Sequence, residues 1–586
     1  MKKTKIVSTL GPASNSVEII TKLIEAGANV FRFNFSHGDH EEHLSRMTMV
    51  HEAEKLTGKT VGIMLDTKGA EIRTTVQVGK KFELHTGETV RISMDDTLEG
   101  TPEKIAVTYP GLFADTHVGG HVLIDDGLVD LKIIEKDEVA NELVTEVQND
   151  GMVGSRKGVN APGVSINLPG ITEKDASDIR FGLDNEINFI AASFVRKPQD
   201  VLDIRQLLEE KHMEHVQIFP KIESQEGIDN IDDIMKVSDG LMIARGDMGV
   251  EIPFENVPFV QKSLIKKCNA IGKPVITATQ MLDSMQENPR PTRAEVNDVA
   301  NAVMDGTDAT MLSGESANGD YPVEAVATMA RIDERTEKAL TDRDAYALKA
   351  YSKTNLTESI GQAVAHTAHN LGIKTIVAAT ESGSTARMIS KYRPQADILA
   401  VTFDERTRRS LTVSYGVYPV VAKKPANTDD MFNLATQTAQ EYGFAKEGDL
   451  ILITAGVPVG ERGTTNVMKI QLIGSKLTQG QGVGDETIVG KAVVASNAKE
   501  AADKAVDGGI LVVKSTDKDY LPAIEKSSAI VVENGGLTSH AAVVGIAMGI
   551  PVVVGAKDAT DAIKDGEVIT VDSRRGIVYR GATNAL

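Results

Sequence analysis

Lys221, Glu223 and Asp247 are the residues whose types and spacing most directly suggest chemistry. Lys221 and Glu223 stand two apart in Phe-Pro-Lys-Ile-Glu, so on a strand they share one face. Asp247 closes the next apolar run, Leu-Met-Ile-Ala-Arg-Gly-Asp, and as the end of a neighbouring strand it brings two carboxylates and an ammonium together. Oxygen ligands of that kind suit Mg²⁺ or Mn²⁺, which keeps waters and binds through one or two carboxylates plus substrate oxygens. A structural salt bridge is the alternative. A second oxygen-rich set, Asn34, Ser36, Asp66 and Thr67, offers one formal charge and several neutral oxygens. That is too weak for a divalent ion alone; it matches a monovalent cation or a plain polar network. Thr380-Glu-Ser382-Gly-Ser384-Thr385-Ala-Arg387 follows a strand pattern and opens a helical one. Hydroxyls and amides at a helix start form an anion site, the alternative being an N-capped helix without a ligand.

The elements that must position these groups are short runs rich in Val and Ile: Lys5–Leu10, Val30–Ser36, Thr60–Thr67, Asn188–Val195, Val216–Glu223, Gly240–Asp247, Pro274–Gln280 and Ala309–Glu315. Amphipathic stretches such as Ser16–Ala26, Asp200–Glu210 and Phe259–Ala270 lie between them. Eight such units predict a closed (β/α)₈ TIM barrel, whose usual size is ~250 residues and whose chemistry sits at the C-terminal ends of the strands. Strand starts fall about 25–35 residues apart, except for a gap of ~130 between the third and fourth. The excess, Ile72 to Asn167, alternates in short β segments (Thr89–Ile92, Lys104–Val107, His121–Leu123, Leu131–Ile134, Leu143–Val147) and predicts a small antiparallel β domain placed as a lid. A second α/β pattern starts near Thr357, with strands expected at Lys374–Thr380, Asp397–Thr402, Tyr418–Ala422, Asp449–Thr454 and Lys469–Ile473. Gly474–Asp485 is polar and glycine-rich and reads as a linker to a compact Val- and Gly-rich unit. The expected division is 1–71 and 168–340 barrel, 72–167 lid, 341–474 open-sheet α/β domain, and 475–586 a small last domain.

Composition sets the outer limits. The chain has 586 residues, 41% hydrophobic and 25% charged, the proportions of a globular protein. Its 63 Lys+Arg against 83 Asp+Glu give a net charge of −20, which disfavours nucleic acid and anionic lipid as partners. One cysteine, Cys268, forms no intrachain disulfide and points to a reducing compartment, the cytoplasm. Met1-Lys2-Lys3-Thr4-Lys5 is basic but leads into no apolar signal-peptide core, and no apolar run approaches the ~20 residues of a membrane span.

Five separated segments then carry a resemblance: Val-Phe-Arg-Phe-Asn-Phe-Ser-His-Gly, Leu-Asp-Thr-Lys-Gly-Ala-Glu-Ile-Arg-Thr, Phe-Pro-Lys-Ile-Glu-Ser-Gln-Glu-Gly, Ala-Arg-Gly-Asp-Met-Gly-Val-Glu and Thr-Ala-Thr-Gln-Met-Leu-Asp-Ser-Met. They resemble, in order, the signatures of the pyruvate kinase family from Met1 to about Gly474. The resemblance implies transfer of a phosphoryl group from phosphoenolpyruvate to ADP, giving pyruvate and ATP in glycolysis. It implies that Lys221 neutralises the phosphoryl group in flight, that Glu223 and Asp247 bind Mg²⁺ (or Mn²⁺), and that Asn34, Ser36, Asp66 and Thr67 are the K⁺ set. Arg32 and Arg73 would contact phosphates, with Asn34, His37, Arg73 and Lys157 on the nucleotide side. The amides of Gly246 and Asp247 and the Thr279 hydroxyl would hold the substrate carboxylate. Thr279 would also sit beside the enolate, a water relay supplying the proton. By the same likeness Thr380, Ser382, Ser384 and Thr385 form a loop for a sugar-phosphate or nucleotide effector, and the assembly is a homotetramer. Glu533-Asn-Gly-Gly-Leu-Thr-Ser-His540-Ala-Ala resembles the mobile phosphohistidine domain of phosphoenolpyruvate-utilising enzymes. His540 is then a candidate phosphohistidine, with a structural or interface role favoured because no ATP-grasp module accompanies it.

Ala70 replaces the family's usual Pro, while Glu71 stands where K⁺-dependent members carry Glu, so a K⁺ requirement is expected. Rival readings are a Mg²⁺-dependent lyase or aldolase barrel, a catalytically silent sugar-phosphate sensor using the 380s loop, and a phosphocarrier through His540.

Overall fold

β-Branched residues pack well on a pleated surface, and the eight Val/Ile runs of the first 320 residues all become strands. The computed structural model describes residues 1–340, 356–457, 465–474 and 476–582. In it β1 (Lys5–Thr9), β2 (Val30–Asn34), β3 (Gly62–Asp66), β4 (Phe189–Ala192), β5 (Gln217–Ile222), β6 (Leu241–Ala244), β7 (Val275–Ala278) and β8 (Ala309–Leu312) close into a parallel barrel in chain order. Alternate side chains explain why these runs are apolar throughout. Val7, Met64, Phe189, Phe219 and Met242 fill the barrel, while Ile6, Ile63, Ile190, Ile218 and Ile243 lie in the separate core that includes the surrounding helices. Phe189 meets Phe219 edge to face at 5.7 Å. Each such large side chain contributes about 1.5–3 kcal/mol by leaving water. The helices are set by local rules: Ser16 accepts the Ile19 N–H to start Val17–Ala26, Gly27 ends it at φ +121°, and Ile20, Leu23 and Ile24 form its buried face.

The strands stop earlier than the sequence runs suggest. β6 ends at Ala244, so Asp247 lies in a short helix, Arg245–Glu251, rather than on the strand. Between β3 and β4 the insert forms a seven-stranded sheet and a two-stranded ribbon around its own core of Val90, Ile92, Val122, Leu131 and Leu143. One pairing, Thr89–Ser93 with Lys104–Ala106, is parallel, so the insert is mixed rather than wholly antiparallel.

The chain splits into two compact units: Met1–Thr354, Glu381–Arg393 and Thr402–Ala422 in one, Asn355–Thr380, Pro394–Val401 and Lys423–Leu586 in the other. The expected strands of the second α/β pattern are present at Thr375–Ala379, Asp397–Thr402, Val417–Val421, Leu450–Gly456 and Thr465–Leu472. Thr375–Ala379 pairs in parallel with both Asp397–Thr402 and Leu450–Gly456, and Thr465–Leu472 adds an antiparallel strand. The boundaries drawn at 340/341 and 474/475 each touch a residue outside the described set.

Gly474–Asp485 is not a linker. Lys476–Gln479 pairs with Ile577–Arg580 and Gln481–Val483 with Val552–Val554, making the two outer strands of an eight-stranded sheet. Its glycines serve close approach: a Cβ on Gly482 would fall 1.7 Å from the Ser573 carbonyl oxygen, and one on Gly480 2.2 Å from that of Val554. No helix among the described residues is long and apolar enough to cross a membrane.

Candidate active site

The barrel mouth is organised around Lys221, next to last in β5, with 12% of its side chain exposed. Its Nζ lies 3.2 Å from Asp66 Oδ1 and 3.2 Å from Glu223 Oε1, and it donates to Ser193 Oγ at 2.9 Å. Asp66, the last residue of β3, accepts Arg32 Nε on its other oxygen at 2.5 Å, and Arg32 from β2 also donates to Thr9 Oγ1 at 3.0 Å. Two cations and two carboxylates thus interlock inside protein, where charges must be paired to be tolerated. Burial alone would raise the Asp66 carboxyl, but Arg32 and Lys221 hold it below the usual range. Burial would likewise strip the proton from Lys221; Asp66 and Glu223 reverse that and keep the ammonium charged. Glu223, unlike Asp66, is raised. Burial, reinforced by Asp247 and only partly offset by Lys221, pushes its carboxyl up to about 7. Its Oε2 accepts the Phe194 N–H at 2.6 Å, while Oε1 accepts no hydrogen bond and has only the Lys221 ion pair at 3.2 Å. A shielded carboxylate oxygen with a second carboxylate nearby is the donor chemistry that a hard divalent cation satisfies.

Glu223 and Asp247 also wall a cavity of about 650 Å³ shared by the barrel end and the insert. Arg73 and Lys157 reach it from the insert, facing Asp125, Asp126 and Glu251. Arg73 is gripped by Glu71 at 2.7 and 2.9 Å, and Lys157 Nζ lies 3.0 Å from Asp125. Asn160 donates to Glu251 at 2.6 Å, tying the insert to the helix that carries Asp247. Burial first, then Asp247, raises the Asp126 carboxyl; Glu251 is raised by burial and by Asp247 against its bond from Asn160. Excess negative charge therefore accumulates here before any anionic substrate arrives.

Thr279 follows β7 in the left-handed region at φ +67°, as does Gln280 at +53°. For a β-branched residue that conformation is strained and needs external support. Arg245 supplies it, donating to the carbonyls of Ala278 (3.1 Å) and Thr279 (2.7 Å) while Asp298 anchors its other end at 2.7 Å. The Thr279 hydroxyl donates to the Ala278 carbonyl at 2.6 Å and accepts the Gly246 N–H at 2.7 Å. A bound carboxylate would have to take over that amide.

Asn34 pairs in register with Asp66, which sets the oxygen-rich residues at one level of the barrel rim. Asn34 Oδ1 accepts the Ser36 N–H at 3.1 Å, and Thr67 Oγ1 accepts the Ser193 N–H at 3.0 Å. His37 is exposed, and its carbonyl pairs with the His43 ring. Farther along the chain, the helix Ser384–Ser390 starts at Gly383, in a left-handed conformation, with no side-chain cap bond. Thr380 lies just past the strand Thr375–Ala379, its N–H bonded to the Val401 carbonyl. In the other unit, His540 begins the helix His540–Met548, its Nδ1 3.0 Å from Thr516 Oγ1.

Ser193 and Arg245 are site residues that the sequence reading passed over. Ser193 directly follows β4, so the strand-end criterion applied to Phe-Ile-Ala-Ala-Ser would have found it. Arg245 shows its use only once two strand ends are seen side by side.

Comparison with known proteins agrees with this architecture. The family model of the pyruvate kinase barrel domain matches residues 1–326, that of the pyruvate kinase alpha/beta domain residues 358–471, and that of the PEP-utilising enzyme mobile domain residues 505–576. A pyruvate kinase of Lactobacillus delbrueckii subsp. bulgaricus is 68% identical over 589 residues, and one of Geobacillus stearothermophilus 58% over 586, each match covering 100% of both chains. The crystal structure of a pyruvate kinase from Cryptosporidium parvum superimposes with a TM-score of 0.77 at 40% identity, covering 80% of this chain and 96% of that one. The chain belongs to the pyruvate kinase family.

Proposed function

We propose that the chain moves the phosphoryl group of phosphoenolpyruvate to ADP, releasing pyruvate and ATP, at the mouth where Lys221, Glu223 and Asp247 meet the insert's Arg73 and Lys157. The observation that carries this reading is the Lys221 ammonium, buried and held charged between Asp66 and Glu223 beside a cavity large enough for both substrates. Both substrates are polyanions, and each like-charge contact at ~4 Å costs about 4 kcal/mol at an effective dielectric near 20. A phosphoryl group in a loose transition state needs positive charge at fixed positions more than covalent help. Lys221 supplies it at the transferring oxygens and Arg32 beside it. Arg73 and Lys157 would meet the nucleotide phosphates, with Asn34 and His37 on that side.

Glu223 and Asp247 would hold Mg²⁺ or Mn²⁺, which neutralises phosphate and enolate oxygens when bound; Glu223 Oε1, which accepts no hydrogen bond and has only the Lys221 ion pair, fits that role. Asn34, Ser36, Asp66 and Thr67, an oxygen-only set with one charge, suit K⁺. Thr279, Gly246 and Asp247 would receive the substrate carboxylate, and a water beside Thr279 would protonate the enolate. ADP-dependent pyruvate formation tests the assignment. Lys221→Met is expected to lower kcat by ~10³-fold or more with the fold intact by circular dichroism, and undiminished turnover would overturn it. A metal-dependent lyase would need no ADP.

The remaining readings are proposed on the family likeness: a cytoplasmic homotetramer divided at 71/72, 167/168, 340/341 and 474/475, with a sugar phosphate or nucleotide acting at Thr380, Ser382, Ser384 and Thr385. His540 is assigned a structural or interface role. Calorimetry with fructose 1,6-bisphosphate tests the loop, light scattering the stoichiometry, and mass spectrometry after phosphoenolpyruvate treatment tests His540.

A further inference from the structure

β2 and β3 run in register as far as Asn34 and Asp66, and one further bond, from the Phe35 N–H to the Asp66 carbonyl at 3.0 Å, ends their ladder. Beyond that rung the loops carrying Asn34, Ser36, Asp66 and Thr67 must still keep a fixed gap if they are to share one ion. What spans them is the start of a single helix, Glu173–Asp184, the first after the insert. Lys174 Nζ donates at 2.8 Å to the carbonyl of Phe35, the residue between Asn34 and Ser36. Asp175, next in sequence and fully buried, accepts the Gly69 N–H on Oδ1 at 3.1 Å, two residues past Thr67. Successive side chains of one helix therefore hold one loop each.

Both anchors rest on a stiff base. Asp175 Oδ2 accepts the Thr172 N–H at 3.0 Å and its hydroxyl at 2.6 Å, while Thr172 Oγ1 accepts the Asp175 N–H at 3.0 Å, a reciprocal cap that locks the first turn. Asp178, one turn on and 2% exposed, takes Lys174 Nζ on one oxygen at 2.5 Å and lies 2.7 Å from His40 Nε2 with the other. That carboxylate offsets the ammonium, so the anchor adds no net positive charge to repel a cation nearby. The His40 ring stacks on Phe181 of the same helix at 4.2 Å, and the Phe35 ring on His43 at 4.0 Å, which braces the first loop from its far side. The second loop is pressed against the end of β4. Gly69 sits at φ +74°, and a Cβ there would fall 2.8 Å from both the Phe194 ring and Ser193 Cβ.

The affinity and size preference of an oxygen-lined ion site follow from how rigidly its ligands are spaced, and the groups that orient the ligands matter nearly as much as the ligands. We propose that Lys174 and Asp175 are positioning residues for the monovalent-cation set, a clamp that fixes the gap between the Asn34/Ser36 loop and the Asp66/Thr67 loop and so sets the affinity for K⁺. The inference rests on the K⁺ reading given above and deepens it.

Melting of the substrate-free full chain, titrated with KCl against tetramethylammonium chloride at constant ionic strength, reads ion binding without turnover. The parent should melt higher in K⁺. Lys174→Met should move the midpoint of that rise about tenfold upward in concentration, with Lys174→Arg returning toward the parent. Asp175→Ala should act in the same direction, and Asp175→Asn, which keeps an acceptor for the Gly69 N–H, less strongly. The K⁺ concentration for half-maximal turnover should shift in parallel, and the preference for K⁺ over Na⁺ should narrow. If Asp175→Ala does not fold, Lys174→Met decides alone, because that side chain is 49% exposed. A Lys174→Met midpoint equal to the parent's, with or without an equal loss of melting temperature in both salts, overturns the clamp and leaves the K⁺ set standing. A parent whose melting and turnover both ignore K⁺ removes the set and the clamp together.

Discussion

Glu71 fixes the local charge where the insert leaves the barrel. It grips Arg73 in a fork and lies 3.2 Å from Lys68, so it neutralises cations that an incoming polyphosphate would otherwise meet. On the proposed K⁺ assignment a glutamate here would leave the monovalent cation as the adjustable positive charge, whereas a lysine changes the position by two units and frees Arg73. Initial rates of the parent enzyme should fall at least tenfold when tetramethylammonium replaces K⁺, and Glu71→Lys should recover part of the loss; equal parent rates in both salts would refute this. Some of this chemistry is written in spacing alone. Lys221 and Glu223 share a face on any strand, and burial between charged neighbours raises the proton affinity of both. Ser193 carries no such local signal beyond its place after β4, because its worth comes from Lys221 and Asp66 arriving from neighbouring strands.

At the next scale the relevant unit is the turn after β7. Two successive left-handed residues, Thr279 and Gln280, hold their shape because Arg245, just past β6, bonds the carbonyls of Ala278 and Thr279. Arg245 is thus a positioning residue for Thr279. Arg245→Lys keeps the charge but loses the planar fork. It should lower kcat about tenfold and raise KM for phosphoenolpyruvate while leaving KM for ADP near the parent value, in steady-state assays at saturating co-substrate. A merely structural role would lower the melting temperature and leave that split absent. Elements of period two or 3.6 were legible in advance, since all eight barrel strands and their amphipathic helices follow from apolar patterning. Exact strand ends were not: Ala-Arg-Gly-Asp continues the run, yet the chain turns into a helix at Arg245.

For the first unit as a whole, Arg409 bonds Glu54 at 2.8 and 2.9 Å across a separation of 355 residues. Burial would raise the Glu54 carboxyl, but His51, Arg409 and the Val61 N–H together lower it. A carboxyl depressed by folding contributes stability above its unfolded pKa of about 4.3 and loses it as pH falls through the lower folded value. Breaking a buried pair costs about 3–5 kcal/mol, toward the lower end here because the Arg409 side chain is 22% exposed. Glu54→Gln should therefore melt below the parent at pH 7, with the gap closing as pH drops below about 4.3; a gap independent of pH would exclude the ionic contribution. Such long-range closures are invisible in sequence, where nothing near Glu54 names its partner.

The segment 476–483 supplies both outer rows of the eight-stranded sheet, so it works as a strap whose halves seal opposite margins. Any attempt to isolate that sheet by cutting at 486 would strip Ile577–Arg580 and Val552–Val554 of their neighbours and bare two ladders of main-chain amides and carbonyls. Bare margins of that kind recruit further chains edge to edge. A piece starting at 476 should remain monodisperse where the shorter one aggregates.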